Sequence, residues 1–327
     1  GPDFDEELDI ELISGYEIII FSDCKINKDS FEHFINRNFN NLCDFLRGNK
    51  FNRDVSKLPQ TITHLTFGGI FNQDVSVLPS SLTHLIFGRD FNQDVLNLPL
   101  NLTHLTFGRD FNQDVLNLPK GITHLTFGNH FNQDVSVLPP SLTHLIFGRD
   151  FNQDVSNLPH NLTYLNLGYW FNQDVLNLPP TLIHLTFGGQ FNQDMLELPR
   201  TLTYLEIGYN FNQQIIIHSN IKYLKLDCNN QYIIDFLPNS IIELKLGLNF
   251  NLKIDNLPTS IKKLVISEYA RYNKDLNCLP NFIEELHLNK LYNKRILNIP
   301  SNLKKLICHE NYPHKNDFSI SDVIVYY

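Results

Sequence analysis

FNQDVSVLPSSLTHLIFGRD, residues Phe71 to Asp90, decides the fold, because the chain restarts on this template every twenty residues. Phe51, Phe71, Phe91, Phe111, Phe131, Phe151, Phe171, Phe191 and Phe211 hold the register with no insertion or deletion between them. A period this strict predicts a solenoid, so function has to be read from stacked equivalent positions rather than from a pocket. Within the unit, Leu82-Thr83-His84-Leu85-Ile86-Phe87 reads as a strand. Leu85 and Phe87 alternate inward, Ile86 points out, and Leu82 closes the upstream corner. Pro79 and its counterparts forbid a regular helix on the far arc, which is expected to be extended or polyproline-like with at most a helical turn. Gly88 follows the strand, where a tight corner or a positive φ is easiest for glycine.

One repeat cannot stand alone. Its apolar set of Phe71, Val75, Leu78, Leu82, Leu85 and Phe87 is too small to offset the ordering of the whole turn, so each turn must cover its neighbour. Beyond Phe211 the letters degrade while the frame survives, with strands expected at 221–226, 241–246, 261–266, 282–288 and 303–307. That gives about thirteen turns and a spine of roughly 60 Å at the strand spacing of parallel sheets. The expected organisation is one elongated domain: an N-terminal cap over 1–50, regular repeats over 51–210, degenerate repeats over 211–310 and a C-terminal cap over 311–327. The N-terminal cap is read as a strand at Tyr16 to Phe21 and an amphipathic helix near Ser30 to Leu46 with Ser30 as N-cap. Asp317 to Tyr327 supplies a closing strand, because an open end would expose a Leu/Phe layer. Gly1-Pro2 reads as a protease-cleavage scar, which places the natural start elsewhere.

The unit FNQxVxxLPxxLTHLxFGxx resembles the FNIP repeat, found in many copies in amoebal and giant-virus proteins. Its LPxxLxxLxF half is similar to the short bacterial leucine-rich repeat. The resemblance spans Phe51 to about Asn311 and is most specific from Phe51 to Asn212. It implies a leucine-rich-repeat-like solenoid with a parallel sheet on the concave face. It also implies an interaction module, since FNIP arrays are often joined to an F-box, although residues 3–50 show no clear F-box pattern. Where leucine-rich repeats place an asparagine after the strand, this chain has Asp90, Asp110 or His130. The candidates for a buried asparagine ladder are instead Asn72, Asn92, Asn112, Asn132, Asn152, Asn172 and Asn192.

The net charge is −9 and hydrophobic residues make up 42% of the 327. A reader of nucleic-acid phosphates needs a cationic stripe, and here Arg89, Arg109 and Arg149 are each followed by an Asp. No apolar run is long enough to span a bilayer. The five cysteines, Cys24, Cys43, Cys228, Cys278 and Cys308, are odd in number and form no CxxC pair, which suits a reducing, cytoplasmic setting, that of the host if the chain is viral.

Three ladders invite chemistry. His84, His104, His124, His144, Tyr164, His184, Tyr204 and Tyr223 form one stripe on the concave face. Imidazoles at strand spacing suggest a metal, but neutral stacked rings bonded to the preceding threonines are the simpler reading. Asp74, Asp94, Asp114, Asp134, Asp154, Asp174 and Asp194 suggest calcium, yet one carboxylate per turn fits better as an acceptor for backbone N–H groups in the corner. The phenylalanine ladder is core. Asp74, Ser76 and His84 do not make a hydrolytic triad, because the first two belong to the far arc and the third to the sheet. The expectation is a non-enzymatic protein-interaction scaffold without cofactor or metal, on the resemblance a substrate-recognition module of a ubiquitin-ligase-type complex. The alternative is a structural or glycan-binding protein of a giant-virus particle. Tyr164, Trp170, Tyr204 and Tyr209, where repeats leave the template, are the expected partner anchors together with the stripe.

Overall fold

The computed structural model of the chain describes residues 18–20, 52–195, 197–318 and 322–326. The expected N-terminal helix, Phe51, Cys24 and Cys43 lie outside them. The chain divides into two compact units, residues 1–168 and 169–327.

The first unit carries strands β1 (Ile18–Ile20), β2 (His64–Thr66), β3 (His84–Ile86), β4 (His104–Thr106), β5 (His124–Thr126), β6 (His144–Ile146) and β7 (Tyr164–Leu167). Each pairs in parallel with the next at a constant twenty-residue register from β2 onward, so Leu65 faces Leu85 and Leu85 faces Leu105. Among the described residues of this unit the far arc contains no helix. It runs through two hydrogen-bonded turns, Leu78 N–H to Val75 O at 3.4 Å and Leu82 N–H to Pro79 O at 3.2 Å, with extended backbone around them. The second turn opens on the carbonyl of the proline, a residue that has no N–H to offer.

Inside, Phe67 stacks on Phe71 at 3.8 Å and Phe87 on Phe91 at 3.7 Å, while successive turns repeat the contact between Phe71 and Phe91 at 6.1 Å. Leu82, Leu85, Phe87 and Phe91 are fully buried. Two local expectations are corrected. Ile86, read as outward, is buried with Thr66 and Thr106, whereas Thr126 and Ile146 at the same register are half-buried. Gly88 does not adopt a positive φ. Its role is close approach, since a Cβ there would collide with the carbonyl of Gly68 one turn away.

The second unit carries β8 (His184–Phe187), β9 (Tyr204–Ile207), β10 (Tyr223–Leu226), β11 (Glu243–Leu246), β12 (Lys263–Ile266), β13 (Glu285–His287), β14 (Lys305–His309) and β15 (Asp322–Tyr326). These also pair in parallel and in sequence order. One five-residue helix, α1 (Gln231–Asp235), and its N-cap Asn230 stand where the template has Phe-Asn-Gln-Asp-Val and the residue after it, ahead of Leu237-Pro238. The core is continued by Leu224, Leu244, Leu264, Leu286 and Leu306, all buried. The phenylalanine register passes through Phe250 to Tyr272, Tyr292 and Tyr312, stacked or tilted at 6.0 to 6.5 Å.

Candidate surface: an imidazole row and an aromatic rim

In the first unit the strand geometry gathers His64, His84, His104, His124, His144 and Tyr164 into one row. Neighbouring imidazoles lie 4.1 to 4.2 Å apart and within 13° of parallel, and Tyr164 continues the stack at 5.7 Å from His144. Each ring Nδ1 sits 2.9 Å from the hydroxyl of the preceding Thr83, Thr103, Thr123 or Thr143. Each of those hydroxyls also reaches the carbonyl of the threonine one turn back, at 3.1 to 3.2 Å. Burial, and secondarily the neighbouring imidazoles, push the pKa of His84, His104 and His124 down from 6.5 to about 4, and burial lowers that of His144. These four imidazoles are therefore uncharged at neutral pH.

This geometry does not suit chelation. Lone pairs of parallel stacked rings point the same way, so one cation cannot lie on the axes of two of them. Among the described residues no three His, Cys, Asp or Glu side chains converge as a metal site requires. The aspartates are equally local in their bonding. Asp74, Asp134 and Asp154 accept from the backbone N–H two residues on and from the serine hydroxyl there, and Asp94, Asp114 and Asp174 accept from the backbone alone. The serine bonds hold Asp74 and Asp154 below the ordinary carboxylate range. Asp74 and Ser76 thus bond to one another on the far arc, while His84 bonds to Thr83 on the sheet.

Within each unit the asparagines form a ladder. Asn72, Asn92, Asn112 and Asn132 each accept, through Oδ1, the backbone N–H of the asparagine one turn on at 2.9 Å and the Nε2 of the following glutamine at 3.1 Å. Asn172 and Asn192 receive the same backbone bond in the second unit. The ladder lies half-exposed at the corner rather than buried, because the corner turns just beneath the surface.

In the second unit His184 stacks on Tyr204 at 3.8 Å, and Tyr223 stands opposite Tyr204 in register, 43% exposed. Farther on, the face alternates charge across neighbouring strands: Glu206 with Lys225, Glu243 with Lys263, and Glu285 with Lys305. Trp170 and Tyr209 do not belong to this row. They lie at the corner after the strand, where Trp170, 45% exposed, packs edge-on against Tyr169 at 5.4 Å. The Tyr169 and Tyr209 hydroxyls are 2.9 Å apart, Gln190 Nε2 donates to the Tyr209 oxygen at 2.6 Å, and Asn210 Nδ2 donates to Gln190 Oε1 at 2.6 Å. Gly189 makes the cluster possible, since a Cβ there would run into both tyrosine rings. The amide bracket of Gln190 and Asn210 escapes a reading of the aromatic letters alone. Its signal is the loss of Arg-Asp at that corner in favour of Gly189-Gln190.

Among solved structures the chain is similar to CroV588, described as a novel circular LRR protein structure, with 34% identity and a TM-score of 0.61. That match covers 83% of this chain and 47% of CroV588, so the chain spans about half of CroV588's length. It is also similar in fold to the functional domain of InlJ from Listeria monocytogenes, at 16% identity and a TM-score of 0.52, covering 79% of this chain and 60% of InlJ. YopM from Yersinia enterocolitica matches at 21% identity and a TM-score of 0.49, over 82% of this chain and 60% of YopM. No curated protein matches the chain. The FNIP Repeat model matches in overlapping copies that tile residues 51–269, short of the Asn311 expected from the letters. Its tiling over most of the chain, on a parallel leucine-rich-repeat-like solenoid of the kind typical of protein-interaction modules, makes this chain a member of the FNIP repeat family.

Proposed function

We propose that the chain is a non-enzymatic protein-interaction scaffold whose partner is held by the strand faces and by the aromatic corner of the second unit. The observation that carries this reading is the Trp170–Tyr169–Tyr209 cluster. Trp170 and Tyr169 stand exposed there, and hydroxyl and amide bonds hold Tyr169 and Tyr209 in place beside Trp170, the state in which an interface anchor loses little entropy on binding. The core beneath does not need Trp170, since Phe171 and Phe191 already fill their layer. In its finer form the scaffold is the substrate receptor of a ubiquitin-ligase-type complex, acting in the cytoplasm of the organism or of a virus's host.

A second reading is a structural or glycan-binding role in a giant-virus particle. The similarity to CroV588 favours a viral source, and an aromatic platform beside amides is also the chemistry that holds sugars. Affinity capture from amoebal lysate, with and without deglycosylation, separates the two. For a protein partner, Trp170→Ala and Tyr204→Ala each weaken binding by about 1 to 2 kcal/mol or more with little change in Tm. His84→Ala, which removes one rung of many, does less. Undiminished capture by both aromatic variants would overturn this placement of the surface. Capture abolished by deglycosylation would favour the glycan reading.

A further inference from the structure

We infer that His84, His104, His124 and His144 present one row of Nε2 lone pairs, all hydrogen-bond acceptors, and that this row is a site for arginine side chains of a polypeptide partner. The inference rests on the reading of the strand face as a partner surface and adds the chemistry of what it takes.

The tautomer follows from proton counting. A threonine hydroxyl has one proton, and a carbonyl oxygen can only accept. Thr83 Oγ1 lies 3.1 Å from the Thr63 carbonyl, Thr103 Oγ1 3.1 Å from that of Thr83, Thr123 Oγ1 3.1 Å from that of Thr103, and Thr143 Oγ1 3.2 Å from that of Thr123. Each of these contacts uses the hydroxyl proton. The 2.9 Å contact between each Oγ1 and the adjacent His Nδ1 must then be a donation from Nδ1–H. A neutral imidazole has only that one N–H, so Nε2 is a bare acceptor. The same relay sets all four rings alike, and none of the four Nε2 atoms has a hydrogen-bond partner among the described residues. The row thus shows a partner acceptors and no donors.

The stack decides how a ligand meets the row. The ring faces are occupied by one another at 4.2 Å, so they cannot serve as platforms for a sugar or a base. What remains is the line of nitrogen edges. With every ring oriented alike, the side-chain dipoles add, with the negative end at Nε2. The side chains beside the row on the same strands, Ile86, Thr106, Thr126 and Ile146, carry no charge, so no cation of the sheet competes for these lone pairs. The whole chain carries a net charge of −9. A cationic donor is the complement, because charge-assisted hydrogen bonds to an acceptor are the strong ones. Guanidinium suits a row better than ammonium. Its planar fan of donors can serve two neighbouring rungs, whereas an ammonium is a single compact point.

The test uses the full chain labelled with 15N in its histidines. Long-range 1H–15N correlation at neutral pH is expected to show protonated Nδ1 and bare Nε2 for these four residues, and Nε2–H in their place would overturn the inference. Titration with hexa-arginine, hexa-asparagine and hexa-glutamate at about 0.15 M salt, where the Debye length is about 8 Å, is expected to move the four Nε2 resonances only with hexa-arginine. The double variant His104→Phe/His124→Phe keeps the net charge at neutral pH and the ring stack but lacks the nitrogens. It is expected to bind hexa-arginine about five-fold more weakly or worse, a change on the scale of lost charge-assisted bonds. Equal binding by the double variant, or hexa-asparagine bound as tightly as hexa-arginine, would overturn the arginine site. Should the double variant fail to fold, the tautomer and the Nε2 shifts of the unaltered chain decide alone. Neither measurement involves Trp170 or a natural partner, so failure of the scaffold reading and failure of this site are told apart.

Discussion

Gly108 lies so close to the turn before it that a Cβ would fall inside the radius of the Gly88 carbonyl oxygen and 2.9 Å from the Arg89 nitrogen. Both obstacles are backbone and cannot swing aside. Gly108→Ala is therefore expected to cost about 2 to 4 kcal/mol in chemical denaturation, in the range of strongly destabilising substitutions. Gly121 is the control. A Cβ there meets only the Leu102 and Leu100 carbonyls at 3.5 and 3.7 Å, and most equivalent positions carry Ser, Asn or Thr. Gly121→Ala is expected to stabilise by about 0.4 to 1 kcal/mol through the unfolded chain. The recurrence of Gly88 was plain in the letters, but its reason was not: the approach is set by the carbonyl of another turn, which no local pattern encodes. Tyr272 and Tyr292 are a second case. They occupy the phenylalanine register and burial raises both pKa values, but the Leu276 backbone reaches the Tyr292 hydroxyl, whereas that of Tyr272 has no hydrogen-bond partner among the described residues. Tyr272→Phe is expected to raise stability by about 0.5 to 2 kcal/mol, since an unpaired buried hydroxyl costs about that much. A fall in Tm would show that this hydroxyl is satisfied after all.

At the scale of the turn and the strand, the ladders divide into those that bear on neighbouring turns and those that do not. Asn112 ties its turn to the next by accepting from the Asn132 backbone and from Gln133 Nε2, whereas Asp114 accepts only from Leu116 within its own exposed corner. Asn112→Ala is expected to cost about 1 to 2 kcal/mol, and Asp114→Ala about 0.5 kcal/mol. The asparagine position was legible from its departure from the leucine-rich-repeat consensus. Its half-exposed setting was not, because depth depends on how sharply the corner turns. The imidazole row adds a pH dependence. With folded pKa values near 4 for His84, His104 and His124 against 6.5 unfolded, the unfolded chain takes up protons first as pH falls. Stability is thus full above about pH 6.5 and is lost as pH drops towards 4. A Tm lower by about 2 °C or more at pH 5 than at pH 7 is expected. In His104→Phe/His124→Phe the slope should flatten over the same interval. An unchanged slope would mean that other groups carry it.

For the molecule as a whole, the consequence of strict periodicity is that a turn can be removed without changing what its neighbours touch. Residues 111–130 run from one Phe-Asn-Gln-Asp corner to the next, and their excision joins Asp110 to Phe131. After it, Phe107 meets Phe131 in the place of Phe111, the Asn92 carbonyl-type oxygen receives Asn132 in the place of Asn112, and His104 faces His144 in the place of His124. Every ladder closes on an identical letter, so the shortened chain is expected to fold with the same circular-dichroism spectrum and a single unfolding transition. Stability in an array of this kind is approximately a sum of turn and interface terms, so it should fall by one such increment. The denaturant m-value scales with the surface exposed on unfolding, and the loss of twenty residues from 327 should lower it by about 6%. Excision of residues 111–120 is the counter-experiment. It removes half a turn, sets far-arc residues against strand residues, and leaves Leu105 without Leu125 at its register, so no cooperative transition is expected. If both deletions melted alike, the turns would not be interchangeable units, and the reading of this surface as a row of equivalent rungs would fall with them.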